Sequence, residues 1–370
     1  MPSITDAFVA FCSKAFVYLF RVASSKPSLR ALLKYVPFRV LMIGDRIAMR
    51  SFDQSLLNKP SQGSVGLIVQ SGALELIVLN MMFREGIGLS KAISFDDVKK
   101  GNWNEAELLE ELAKDPETDV IVFCSESIIQ GREFMKIARA VTKMKPVIAF
   151  KSGKSEIGAK AVLSHVGSLA GSDLICSAAF RQSGVLRAQT IEEMLDFAKA
   201  LSFQPRVKGP KVAIVTNGGG AGVIAADECI RLGLKIPDLP QSMQEYLERK
   251  LPLFSGMTNP LDIKFAATAE TYADVLDCLF AFDGIDVILL MIYPSPALDT
   301  ERLVGALLKL KNRYEKPMII SAIGSAKFIG QLHKLEEIGI PIYLLPERAS
   351  NGVAALVYYG QRCYPVSRHE

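Results

Sequence analysis

Val65-Gly-Leu-Ile-Val69, followed by Gln70-Ser71-Gly72-Ala73 and by Leu74 to Arg84, decides the fold. The opening run is continuously apolar, the pattern of a strand covered on both faces of a sheet. The small residues after it suit a tight turn, and the last stretch reads as a helix. The same order returns in the second half of the chain. Val212-Ala-Ile-Val215 leads into Thr216-Asn217-Gly218-Gly219-Gly220-Ala221-Gly222 and then into Val223 to Leu232.

The parallel extends outward from both copies. Asp119-Val-Ile-Val-Phe123 matches Asp286-Val-Ile-Leu-Leu290, helices follow over 131–144 and 299–311, and Lys145-Pro-Val-Ile-Ala149 matches Lys316-Pro-Met-Ile-Ile320. Alternating strands and helices predict parallel sheets with helices on both faces. The fold class is therefore α/β, with two flavodoxin-like, doubly wound parallel-sheet domains over 61–187 and 208–365. Residues 188–207 read as a linker helix, with Thr190 as N-cap and Glu193 completing a capping box. Gln204-Pro205 and Gly209-Pro210 punctuate the second boundary.

Residues 1–60 read as a short helical extension. Ala7 to Ala23 is apolar and aromatic but broken by Lys14 and Arg21, which makes it short for a membrane span. It reads as an amphipathic helix in need of a partner surface, with a weak membrane-surface anchor as the second reading. Pro27 to Leu33 looks like a helix start and Arg39 to Met42 like a single strand. A net charge of +4 with no dense basic run argues against nucleic-acid binding. Six scattered cysteines without a CxxC pair argue against structural zinc and disulfides and fit a reducing, cytoplasmic location. With three histidines in all, a His-rich metal site is not expected.

Ligands of parallel sheets sit at the carboxyl ends of the strands. The turn at Ser71 and Gly72 would place a helix N-terminus there, with free N–H groups and partial positive charge suited to phosphate, although a plain strand-to-helix turn explains the same residues. The Asn217-Gly218-Gly219 turn is not a dinucleotide fingerprint, because Val223 stands where the last glycine belongs. Close helix–strand packing and phosphate contact both remain open for it. Gly153-Lys154-Ser155 is not a phosphate-cradling loop of the nucleoside-triphosphatase kind, since Ile148 replaces its first glycine. His165 lies in Ala161-Val-Leu-Ser-His-Val-Gly-Ser-Leu-Ala-Gly-Ser-Asp173, where Gly167 and Ser168 suit a loop that approaches phosphate. Glu126 follows a strand and falls on the same sheet edge. A carboxylate there can accept Nδ1–H of the histidine and leave Nε2 free as a nucleophile toward phosphorus, although a solvated strand-end glutamate is the plainer reading.

From Ser164 to Asp173 the chain resembles the NDP-forming acyl-CoA synthetases, the superfamily of the succinyl-CoA synthetase α subunit, and above all the ADP-forming acetate–CoA ligases. The resemblance extends to Gln70-Ser71-Gly72-Ala73-Leu74, Lys151 to Ser155, Ala178 to Gly184, Val215 to Gly219, Thr258-Asn259-Pro260-Leu261-Asp262 and Pro346-Glu347-Arg348-Ala349. It implies that His165 is phosphorylated, that Glu126 supports it, and that Ser71 and Gly72 hold the phosphate. It further implies that acyl-CoA and phosphate give an acyl phosphate, that His165 takes the phosphoryl group, and that a swinging loop delivers it to ADP. The resemblance implies that the phosphate on His165 is transient and that CoA, ATP or ADP and Mg are supplied mainly by partner domains. The partners it implies are an ATP-grasp β-type subunit and, as an option, a separate CoA-binding domain, of which residues 1–60 read as a remnant.

The chain departs from the pattern at several places. Val69 replaces a serine, Val166 a threonine, Ser127 the glycine after the glutamate, and Ala221 a proline. Ser127 and the degraded CoA-binding part favour an alternative, a non-catalytic homologue acting as a binding or regulatory module. The retained His165 and Glu126 favour a working ligase subunit.

Overall fold

The structure is a computed structural model that describes residues 40–42, 60–94, 104–166, 171–250 and 258–363. It divides into two compact units, split between Leu195 and Asp196. The segments read as helical over 7–23 and from Pro27 lie outside the described residues.

The first unit holds β1 (Val40–Met42), β2 (Gln62–Val69), α1 (Gly72–Arg84), β3 (Leu89–Ser94), α2 (Glu105–Lys114), β4 (Val120–Ser125), α3 (Gly131–Val141), β5 (Val147–Lys151), α4 (Glu156–Val166), α5 (Asp173–Ser183) and β6 (Leu186–Ala188). Its sheet is ordered β1-β3-β2-β4-β5-β6, and every pair in it is parallel. The strand expected at Arg39 to Met42 is present as β1, in register with β3 from Val40 opposite Ala92.

α6 (Ile191–Phe203) runs across the division. The second unit continues with β7 (Val212–Thr216), α7 (Gly219–Arg231), α8 (Gln241–Lys250), β8 (Leu261–Asp262), α9 (Ala269–Ala281), β9 (Val287–Ile292), α10 (Thr300–Arg313), β10 (Met318–Ala322), α11 (Ala326–Glu336), β11 (Ile342–Tyr343) and α12 (Pro346–Cys363). Its order is β11-β10-β9-β7-β8, again all parallel. Setting β1 aside, each sheet places its second strand, first, third, fourth and fifth side by side. This is the flavodoxin-like order, whose topological switch point lies between the first and third strands. The duplication read from the sequence is thus a duplicated topology.

The central strands are buried along their whole length, as continuous apolar runs require. In the first unit Ile68, Phe123, Phe134 and Phe180 share one core with α2, α3 and α5. In the second unit the two faces of the sheet have separate cores, one under α9, α10 and α11 and the other under α7 and α12. The helix ends follow local chemistry. Asn104 caps α2 in a full capping box with Glu107, and Asp299 accepts from Glu301 N and Arg302 N at the start of α10. Thr190 accepts from Glu193 N, but the Glu193 carboxylate reaches back to Gln189 N rather than to Thr190.

The motif around Asn259 also has a structural role. Because β8 covers only the last residues of β7, the side chain of Asn259 completes the ladder. Its Oδ1 accepts from Ile214 N at 2.9 Å, and its Nδ2 donates to Val212 O at 2.8 Å and Pro237 O at 3.0 Å.

Candidate active site

At the switch point of the first sheet, β2 and β4 run parallel with Val69 opposite Cys124. Their carboxyl ends lead into Gln70-Ser71-Gly72 on one side and Glu126-Ser127 on the other. The side chain of Gln70 is 3% exposed and closes the gap between the two turns. Its Oε1 accepts from Glu126 N at 2.8 Å, Ser127 N at 3.0 Å and Ser125 Oγ at 3.1 Å. Its Nε2 donates to Ser127 Oγ at 3.3 Å, and Ser125 Oγ also lies 2.6 Å from Ser127 O. A buried carboxamide must find such partners, and here it spends them on the turn that carries Glu126. The sequence shows that Gln70 ends a strand. It does not show which turn the carboxamide reaches.

Ser71 is the N-cap of α1 in extended conformation, and its side chain makes no capping bond. The N–H groups of the first turn, beginning at Gly72, face the carboxyl edge beside the Glu126 turn. Glu126 itself is half-buried. The structure therefore places Ser71, Gly72 and Glu126 at one edge of the sheet, on the turns after two neighbouring strands.

His165 is carried differently from the loop expected for it. It is the penultimate residue of α4, while Gly167 and Ser168 lie outside the described residues. The helix-breaking glycines come only after Val166, and the start of α4 is well made: Gly158 N donates to Ser155 Oγ at 3.1 Å and Ala159 N to Ser155 O at 2.8 Å. The crossover from β5 to β6 is made by α5, not α4. α5 packs on α3 through Phe134 and Phe180, ring centroids 6.0 Å apart, and through Thr142 Oγ1 donating to Ser183 O at 2.7 Å. α4 buries Val162 and leaves Ile157 and Leu163 exposed. Residues 152–166 thus form an excursion that leaves the carboxyl edge after β5, and α5 starts again from that edge.

Both feet of the excursion are pinned. Lys154 Nζ donates to the carbonyl of Gln189. At the other end Arg187 grips Asp173, with Nη2 to Oδ1 at 2.5 Å and Nη1 to Oδ2 at 3.1 Å, and it also donates to Ser177 Oγ. The guanidinium bonded to Asp173 holds its carboxyl below the usual aspartate range. Lys151, opposite Ser125 in register, is buried with Nζ donating to Ser152 O at 2.9 Å. Desolvation is the largest cause that pulls its pKa below the ordinary lysine range. The run Lys151 to Ser155, a family resemblance without a role in the sequence, thus supplies buried positive charge and the start of α4.

The second unit repeats the clasp with a shorter side chain. Asn217 follows β7 as Gln70 follows β2. Its Nδ2 donates to Tyr293 O at 2.8 Å and its Oδ1 accepts from Tyr293 N at 2.9 Å, just past β9. The turn beyond it is tightly packed. A Cβ at Gly218 would lie 3.1 Å from the Tyr293 ring, and one at Gly219 would lie 2.8 Å from Asp262 Oδ2. Asp262 sets a carboxylate against the first turn of α7 and pairs with Lys264 at 3.1 Å. Close packing therefore accounts for both glycines, and this helix N-terminus already faces an acidic group.

Arg348, in the Pro346-Glu347-Arg348-Ala349 motif, is committed to the interior of the second unit. Its Nε donates to Asp196 Oδ1 at 2.8 Å, and Asp196 also accepts from Asn351 Nδ2 at 3.2 Å. Among the described residues no group of three or more His, Cys, Asp or Glu side chains could hold a metal ion. No helix among them is long and apolar enough to cross a membrane.

Comparison with known proteins places both units. Residues 62–201 match the succinyl-CoA ligase like flavodoxin domain and residues 212–357 the ligase-CoA domain. The α subunit of acetate–CoA ligase (ADP-forming) I from Pyrococcus furiosus is 38% identical over 80% of this chain and 63% of its own length. The α subunit of acetate–CoA ligase (ADP-forming) II from the same organism is 38% identical over 83% of this chain and 67% of its own length. The chain thus spans less than two thirds of the first of these relatives. Among solved structures, the dinucleotide-forming acetyl-coenzyme A synthetase 1 of Ca. Korarchaeum cryptofilum, in complex with phosphate and ADP, superposes with a TM-score of 0.75. It is 31% identical and is matched over 84% of this chain and 68% of its own.

Proposed function

This chain belongs to the family of ADP-forming acyl-CoA ligases, and on that premise we propose that it is the phosphohistidine-carrying subunit of an acetate–CoA ligase. The net reaction interconverts acyl-CoA, phosphate and ADP with carboxylic acid, CoA and ATP. Phosphate displaces CoA from the thioester and leaves an acyl phosphate. Nε2 of His165 then attacks phosphorus. The N–P bond forms as the bond from phosphorus to the acyl oxygen breaks, and the carboxylate departs. ADP takes the phosphoryl group from His165 in the last step.

The observation that carries this reading is the pair of adjoining carboxyl ends of β2 and β4, whose following turns, Gln70-Ser71-Gly72 and Glu126-Ser127, are bonded together through Gln70. In the proposal, free N–H groups of α1 donate to the phosphoryl oxygens and stabilise their charge, which is what phosphoryl transfer needs most. Glu126 holds Nδ1–H of His165 and keeps Nε2 unprotonated. Gly167 and Ser168 contact the phosphate. Ser127, the departure that favours loss of activity, has its hydroxyl inside the Gln70 clasp and so adds a tie to the Glu126 turn. The buried Asn217 and the packed Gly218 and Gly219 take no chemical part.

The relatives that carry the name α subunit support a partner chain. We assign ADP and magnesium to a partner of ATP-grasp type, CoA to a CoA-binding domain, and the whole assembly to the cytoplasm. The test is to incubate the chain with γ-labelled ATP and a compatible ATP-grasp subunit. The expected result is acid-labile, base-stable label that His165→Ala abolishes. Absence of label, or label that survives His165→Ala, contradicts the proposal.

A further inference from the structure

We infer that Gln70 is a positioning residue for the phosphoryl-transfer site, fixing the main chain that presents Glu126; this rests on the phosphohistidine reading above. Gln70 belongs to the strand-to-helix turn after β2, and among the described residues every side-chain hydrogen bond it makes is to the turn after β4. Two of its donors are consecutive backbone N–H groups, Glu126 N at 2.8 Å and Ser127 N at 3.0 Å. Ser127 Oγ accepts from its amide at 3.3 Å, and Ser125 Oγ lies 3.1 Å from its Oε1, with one hydroxyl hydrogen to serve either that oxygen or Ser127 O. Ser125 Oγ in turn reaches Ser127 O at 2.6 Å, so the turn is tied at the residue before Glu126, at Glu126 itself and at the residue after it.

Four features make this more than a packing detail. Gln70 is 3% exposed and Ser125 and Ser127 are deeper still, so water cannot substitute for the carboxamide. The clasp fixes the backbone N of Glu126, the main chain that carries the carboxylate. The next residues after Gln70 are Ser71 and Gly72, so one residue ties the helix N-terminus to the main chain of Glu126. Ser127, where the resemblance leads one to expect glycine, supplies a hydroxyl that only this clasp uses among the bonds described for its side chain. Each bond alone contributes modestly. Together they hold two functional groups in one geometry, and a displacement of the order of 1 Å in such a site costs about a hundredfold in rate.

The reaction with acetyl phosphate isolates this step, because the phosphoryl donor needs neither CoA nor nucleotide. The full chain is treated with labelled acetyl phosphate and the rate of protein labelling is followed across pH. Gln70→Leu is expected to slow labelling by about 10- to 100-fold. In a Glu126→Gln background the same change is expected to slow it less than about threefold, because the residue acts through Glu126. Gln70→Glu keeps the shape of the side chain and covers the case in which Gln70→Leu fails to fold. It puts a second carboxylate beside Glu126 and is expected to move the acid limb of the pH profile upward by about one unit.

Amide hydrogen exchange at Glu126 and Ser127 is measured on the same proteins and does not depend on chemistry. Exchange there is expected to speed up in Gln70→Leu, and to stay slow in Gln70→Glu, whose carboxylate still accepts from both N–H groups, while β4 itself stays protected in both. If wild-type protein takes no label, the phosphohistidine reading fails, and unchanged exchange in Gln70→Leu then refutes the clasp as well. If wild-type protein labels, equal loss from Gln70→Leu in both backgrounds, or an unshifted profile in Gln70→Glu, overturns the positioning role.

Discussion

Asp196 is fully buried on α6, and its charge is matched by Arg348 Nη2 at 2.7 Å, with Asn351 and the Tyr343 hydroxyl bonding the same residue. Removing one partner strands the other charge in the interior. Asp196→Ala is therefore expected to destabilise the second unit by about 3–5 kcal/mol, read by denaturant unfolding, and Asp196→Leu with Arg348→Met to recover much of it. Equal stability of wild type and Asp196→Ala would refute the pairing. Arg348 was visible in the sequence as part of a family motif, but its partner lies 152 positions away. Nothing in local spacing identifies such a partner, and the same holds for Gln70 and the Glu126 turn. Ser71, Gly72 and Glu126 were legible because strand ends in a parallel sheet share an edge by topology.

Two thiols set an alkaline limit. Burial pushes Cys124 up to about 12 and Cys229 up to about 11, whereas a thiol in the unfolded chain titrates near about 8.5. The folded state binds these protons more tightly, so the contribution is fully present below that value and is lost as pH rises through the folded values. Stability is expected to fall from about pH 9 upward, and Cys124→Ala and Cys229→Ala each to flatten the fall. A slope that neither substitution changes would contradict this account.

At the scale of elements, the apolar runs gave the strands and the duplicated order gave the topology, and α1, α3, α7 and α10 begin within a few residues of their expected starts. α4 was hidden. Its glycine-rich sequel pointed to a loop at His165, while Glu156 to Val166 carries enough helix formers, with Ser155 as cap, to stay helical. Close approach of elements also gives a sharp contrast between glycines. A Cβ at Gly360 would lie 1.8 Å from Val207 O, whereas one at Gly220 would meet nothing within 4 Å. Gly360→Ala is expected to cost about 3 kcal/mol through displacement of α12. Gly220→Ala on α7 is expected to be neutral or to stabilise by about 0.5 kcal/mol. Thermal unfolding of the two variants reads the difference, and a similar melting temperature for both would contradict the packing.

For the molecule as a whole, the proposal assigns half of a reaction to this chain. With acetyl phosphate and ADP alone it is expected to form ATP no faster than the buffer does, and addition of an ATP-grasp partner is expected to restore synthesis; rapid synthesis by the chain alone would contradict the division of labour. The central claim is that the first unit carries a phosphoryl group on His165. It is tested most directly by treating the purified chain with acetyl phosphate, digesting it at alkaline pH and mapping phosphate by tandem mass spectrometry. The account predicts an N-linked phosphate on His165 that disappears after acid treatment, with none on His333 or His369. A phosphate on any other residue, or an unmodified His165 after full exposure, would contradict it.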